Sequence, residues 1–194
     1  MSNSGIFDVN DIRYLMDYQQ WTGVGTLELI ETQTVSGASA IDFTNLGDYN
    51  VYFVTMPTME TNSTGHPQAS KMQLRFSNDG GSSYESGASD YQWANQYVKT
   101  DGGNGESRDS ADSSIEWTPR CNNGEPTSAY MYLYNLKDST KYSFTTSHTT
   151  INVDQGEFFF GSGVYTTAET INAIRFYNDY SMTGSFSLYG IRYS

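Results

Sequence analysis

The chain has 194 residues and a net charge of −12, with only 16% charged residues against 15% aromatic ones. Ten Lys plus Arg against 22 Asp plus Glu exclude nucleic-acid binding by phosphate neutralisation. Abundant aromatics at low charge density exclude a disordered chain. No stretch is apolar for the ~20 residues a membrane helix needs.

The single cysteine, Cys121, permits no internal disulfide, which fits assembly in a reducing compartment. Met1 to Ser4 has neither a basic nor an apolar start, so no secretory signal is expected.

Residues 5–21 are the one helical stretch. Asp8 is suited to the N-cap, Asp11 to the first turn, and Phe7 with Ile12 to a hydrophobic staple. Val9, Ile12, Leu15 and Met16 follow helical spacing, and Trp21 precedes the stop at Gly23. Such a segment either packs on its own domain or anchors the chain in a partner's groove. Phe7, Val9, Ile12, Leu15, Met16 and Trp21 are then the partner-anchoring residues.

Strand signals follow. Val24–Val35 is a first strand, Ser36 to Ser39 a turn and Ala40–Phe43 a short strand. Val51–Met56 is apolar on both faces and ends at Pro57. Thr58–Gln68 is a polar loop with His66. Lys71–Phe76 alternates, placing Met72, Leu74 and Phe76 inward, and the run Ser77 to Gly81 is a turn. Tyr91–Tyr97 is a strand, Asp101–Ser114 a long hydrophilic loop, and Ser114–Pro119 resumes a strand.

Tyr130–Leu136 and Lys141–Thr146 form a hairpin. Ile151–Asp154 and Glu157–Phe160 are short strands around Gln155 and Gly156. The C-terminal stretch reads as a closing hairpin: Thr170–Tyr177, a polar loop Asn178–Gly184, then Ser185–Tyr193. Eight to ten strands without a repeat predict an all-β chain. The architecture expected is an antiparallel β-sandwich, jelly-roll-like, over 24–194, preceded by a short N-terminal amphipathic helix in an arm over 1–23.

Chemistry-bearing patterns are few. Gly80-Gly81 and Gly102-Gly103 lack the lysine and helix of a phosphate cradle and read as turns. His66 and His148 have no zinc-type partners nearby in sequence, and Cys121 has no activating motif. No metal or other cofactor is expected. Asp101, Glu106, Asp109 and Asp112 read as a solvated acidic loop, with calcium as the alternative.

Asp79, Glu85 and Asp90, around Tyr91 and Trp93, are the candidate carboxylates, and nothing pairs two of them as a glycosidase requires. Tyr91, Trp93 and Tyr97 share one strand face. They form either a glycan platform or core and subunit seam. Tyr130, Tyr132 and Tyr134 share the same two readings.

Three segments carry a resemblance. One is the C-terminal Ile171–Phe176 strand with Gly184–Ile191. Another is Val35–Leu46 with the following Tyr52 to Val54. The last is Leu74–Tyr84. In this order they resemble a group of phage virion proteins of similar length, of tail, fibre-like or capsid decoration type. The resemblance implies a non-enzymatic particle component with no catalytic residues, assembled in the host cytoplasm. Its partners would be other virion proteins and itself, a trimer first, with a host-surface glycan as a further partner.

Overall fold

The computed structural model describes residues 27–63, 71–118, 121–153 and 155–192. The segment 5–21, with Phe7, Val9, Ile12, Leu15, Met16 and Trp21, lies outside the described residues, as does His66.

The described residues are all-β. Ten strands follow in order: β1 Leu27–Phe43, β2 Val51–Thr61, β3 Met72–Ser77, β4 Tyr91–Lys99 and β5 Asn104–Asp112, then β6 Ile115–Thr118, β7 Thr127–Tyr134, β8 Ser143–Val153, β9 Gln155–Tyr165 and β10 Ala173–Ile191. They form one antiparallel sheet in the order β5-β4-β9-β8-β7-β2-β10-β3-β6, with β1 paired to β10.

The C-terminal hairpin expected from the sequence is instead one strand. β10 runs unbroken through the polar stretch, and β1 likewise runs through the expected turn at Ser36 to Ser39. The two interruptions face each other. Tyr177 pairs with Ala40 and Met182 with Ala38, so residues 178–181 bulge out opposite Ser39 alone. Gly37 takes φ +85°, which an L side chain rarely adopts, and Asn178 accepts a bond from the Tyr180 N–H at 2.9 Å. Bulges bend the strand that carries them.

This bend makes the β1–β10 ribbon a corner. The first half of β10 pairs with β3 on its other edge, and the second half pairs with β2. Turn-forming residues mark a change of direction, and that signal is the same for a turn and for a bulge.

A second correction is β5. The hydrophilic stretch from Asp101 is a tight turn followed by a strand paired with β4. Lys99 N–H donates to the Gly103 carbonyl at 2.7 Å, with Gly102 at φ +91°. β5 lies at the sheet edge, so its residues need no apolar alternation. Its charges protect the open edge from pairing with another chain. Pro57 does not end β2 either. It is exposed at a register shift between Met56 and Met59, where no ladder bond is required of it.

The sheet curls until its ends meet. β5 and β6 stand at opposite ends of the strand order, yet only Ser113 and Ser114 join them. Asp112 to Ile115 is three Cα steps, at most about 11 Å, so β6 starts near the end of β5, and from there it packs against β9 and β4. Among the described residues no ladder joins β5 to β6; side chains hold β6 and its link against β4 and β3. Asn95 Nδ2 on β4 donates to the Glu116 carbonyl on β6 at 3.2 Å and Arg75 Nε on β3 to the Ser113 carbonyl at 2.9 Å, while Trp93 Nε1 donates to Asp112 Oδ2 at 2.8 Å within the β4–β5 hairpin.

All four residues of β6 are buried. The β9 backbone comes so close to β6 and β4 that glycine is required there. A Cβ on Gly163 would meet Ile115 at 2.7 Å, and one on Gly161 would meet Asn95 Oδ1 at 1.8 Å. The core enclosed by this curl holds Met72, Leu74, Phe76, Trp117, Phe176 and Phe186, all essentially inaccessible. The alternation in β3 is thus as the sequence predicts.

Candidate contact face on the outside of the sheet

Strand register builds this face row by row. Leu29, Tyr189, Phe53, Tyr132, Thr146, Ser162, Ala94 and Arg108 stand directly opposite one another from β1 across to β5. All point away from the core. The next row is Thr32, Ser187, Thr55, Tyr130, His148, Phe160, Gln96 and Glu106. On the other side lies Ile191, Val51, Tyr134, Phe144, Val164 and Gln92.

The rings touch across strands. Phe53 lies 4.7 Å from Tyr132 and 6.1 Å from Tyr189, centroid to centroid. Tyr130 lies 5.0 Å from His148, which meets Phe160 edge-on at 4.8 Å. Tyr130 Oη and His148 Nδ1 share a hydrogen bond of 2.7 Å, and Tyr134 Oη and Thr146 Oγ1 one of 3.2 Å. Much of this surface is open. Leu29 is 59% exposed, Phe160 47% and Phe144 44%.

From β4 to β10, the three rows of six contain no Asp, Glu, Lys or Arg. A soluble protein surface carries charge at roughly 25–35% of positions. The charge-free stretch is bounded at β5 by Arg108 and Glu106, which pair with each other at 2.9 Å. Exposed apolar surface without charge is the composition of the core of a contact patch.

The outside of the β1–β10–β3 corner is the opposite case. Arg175 grips Asp42 with two bonds of 2.7 and 2.6 Å and lies 4.0 Å over the Tyr84 ring. The Asp42 bond leads in holding the Arg175 pKa above its usual value, and burial pushes the Tyr84 phenol up to about 12. Lys71 Nζ pairs with the buried Glu116 at 2.6 Å, although burial still raises the Glu116 carboxyl pKa. That face pairs its charges with one another, although Glu116 Oε1 is buried without a hydrogen-bond partner.

The sequence-predicted residues fall as follows. Tyr91 is fully buried and Trp93 is 9% exposed, while Tyr97 is half-buried against Phe159 at 5.3 Å. This row faces inward and offers no platform to a glycan, because the curl of the sheet brings β6 against it. Tyr130, Tyr132 and Tyr134 face outward and join the contact face. His148, which no sequence pattern singled out, sits at its centre.

Asp101, Glu106, Asp109 and Asp112 are spread along the β4–β5 hairpin. Asp101 accepts from the Gly103 N–H, Asp109 from the Ala111 N–H and Asp112 from Trp93. Among the described residues no three His, Cys, Asp or Glu are grouped to hold a metal ion. Asp79 is tied to Ser83 and Ser77, which lower its pKa to about 2. Asp90 binds the Gly87 N–H. Cys121 is buried, and burial pushes its thiol up to about 11.

No family model matches the chain, and no curated protein matches it. Among solved structures, one similar chain is an alginate lyase mutant in complex with an alginate tetrasaccharide. It is 12% identical, the match covers 84% of this chain and 81% of that one, and the TM-score is 0.30.

Proposed function

We propose that this protein is a non-enzymatic structural component of a bacteriophage virion, a tail-associated fibre or appendage subunit ahead of a capsid decoration protein. In this reading residues 24–194 form a jelly-roll-like β-sandwich. Residues 1–23 are the arm that attaches it to the particle. Copies associate, as a trimer first, through the tyrosine-rich outer face of the sheet.

The observation that carries the reading is the charge-free aromatic face on a chain of net charge −12. Leaving such a surface in water is unfavourable by about 25 cal/mol per Å² of apolar area, and symmetric pairing of copies removes it from water. The resemblance of the three strand segments to phage virion proteins supports the setting.

The test is solution mass of the full chain, of the chain lacking residues 1–23, and of Tyr132→Lys. Wild type and the truncated form are expected to give the same closed oligomer, and Tyr132→Lys to dissociate. A monomer at every concentration for the wild type would sink self-association. Normal incorporation of the truncated form into particles would sink the arm as anchor.

A further inference from the structure

Toward β5 the outer face drops into a groove of about 480 Å³. Its floor is Ala94, Ser162 and Thr146, consecutive members of one cross-strand row. Small side chains make the depression. The row rises again at Tyr132, and the next outward position on β9 is Phe160. Tyr134 and Phe144 flank one side and Arg108 the other.

The groove therefore sets aromatic rings against a polar wall. Sugar rings present an apolar C–H face and a rim of hydroxyls, and an aromatic ring with a polar tip suits the first while leaving the second in water. The Thr146 hydroxyl is tied to Tyr134 Oη at 3.2 Å, which holds one aromatic wall in place. Opposite, Arg108 Nη1 is bonded to Glu106 at 2.9 Å, and its fork retains further N–H donors for hydroxyl oxygens.

Charge decides between neutral and acidic sugars. The chain carries −12 overall, which repels anions, and the one cation at the groove is already matched. The geometry points to a binding site for a neutral oligosaccharide, with a ring against Phe144 and Tyr134 and hydroxyls toward Arg108. This site is on the opposite face of β4 from Tyr91 and Trp93. It lies at the β5 side of the outer face through which copies are proposed to associate, so binding and solution mass are read separately.

The test is calorimetric titration of the full-length protein with four neutral probes: maltohexaose, cellohexaose, mannohexaose and hexa-N-acetylchitohexaose. A hexamer of galacturonic acid is the anionic control. At least one neutral probe is expected to bind with a dissociation constant below about 1 mM, the range of a shallow site. Ala94→Phe, which fills the floor from an outward position, should weaken it more than tenfold. Phe144→Ser, which leaves the floor intact, should do the same by removing the ring. Circular dichroism checks that both variants fold, and solution mass reports assembly separately. Absence of binding by all four neutral probes overturns the site, as does binding that persists in both variants. Tightest binding by the acidic hexamer overturns the ligand class.

Discussion

Tyr130 on β7 and His148 on β8 stand directly opposite each other, with Tyr130 Oη 2.7 Å from His148 Nδ1. Tyr130 also meets Tyr132 and Phe53, and His148 meets Phe160, so this pair links rings on four strands. His148→Lys would plant a permanent charge there without touching the core. Its fold should be unchanged by circular dichroism, and its oligomer should dissociate at concentrations where wild type is assembled. A His148→Lys oligomer as tight as wild type would remove this face from the contact.

Gly161 tests how the sheet closes. A Cβ there would stand 1.8 Å from Asn95 Oδ1, and Asn95 Nδ2 is the donor to the Glu116 carbonyl on β6. Gly161→Ala must push the amide aside and break that bond. The predicted cost is about 1–3 kcal/mol, as for other overpacked sites. The double variant Gly161→Ala with Asn95→Ala should recover part of it. Urea denaturation of the two single variants and the double variant measures the coupling.

Alternation along single strands was legible in the sequence. Met72, Leu74 and Phe76 turn inward as expected, and Tyr130, Tyr132 and Tyr134 share one face as expected, although only the structure shows that this face is the outer one. Period-two spacing assigns a residue to a face whatever its neighbours are. It does not say which strands are neighbours. Phe53, Tyr132 and Tyr189 are far apart in the chain and become one cluster only through the β10-β2-β7 order. Tyr91 and Trp93 were ambiguous for the same reason: one face of β4 is interior only because β6 folds back against it. The bends at Gly37 and at residues 178–181 carry turn residues, and only a partner strand distinguishes a corner from a hairpin.

High pH should unfold this protein through its buried weak acids. Burial raises the Cys121 thiol to about 11 and the Tyr52 phenol to about 12, and raises those of Tyr91 and Tyr165 further still. Their folded pKa values exceed the unfolded ones, so this stability is complete below about pH 9. It is lost as the unfolded chain begins to ionise first, between about pH 9 and pH 12. Urea midpoints should hold steady from pH 6 to 8 and fall steadily above 9. For the same reason Cys121 should resist alkylation at pH 8 until denaturant is added. Rapid labelling of the native protein would contradict its burial.

Tryptophan fluorescence reads the closure directly. Trp117 is 1% exposed and Trp93 9% exposed, the latter with Nε1 bonded to Asp112 across the β4–β5 hairpin. Trp21 is the third indole, so Trp21→Phe leaves only these two to report. Their emission should be blue-shifted, with acrylamide quenching several-fold weaker than that of free tryptophan. Asp112→Ala removes the acceptor of Trp93 Nε1, at a cost of about 1–3 kcal/mol for a polar group left unpaired. It should loosen the end of β5 from β4 and raise quenching of Trp93 before that of Trp117, which packs 5.0 Å from Phe176 in the core. Red-shifted, freely quenched emission from Trp21→Phe itself would mean that β6 does not fold back over β4. The inward assignment of Tyr91 and Trp93 would then fall, and the glycan platform on that face would be open again.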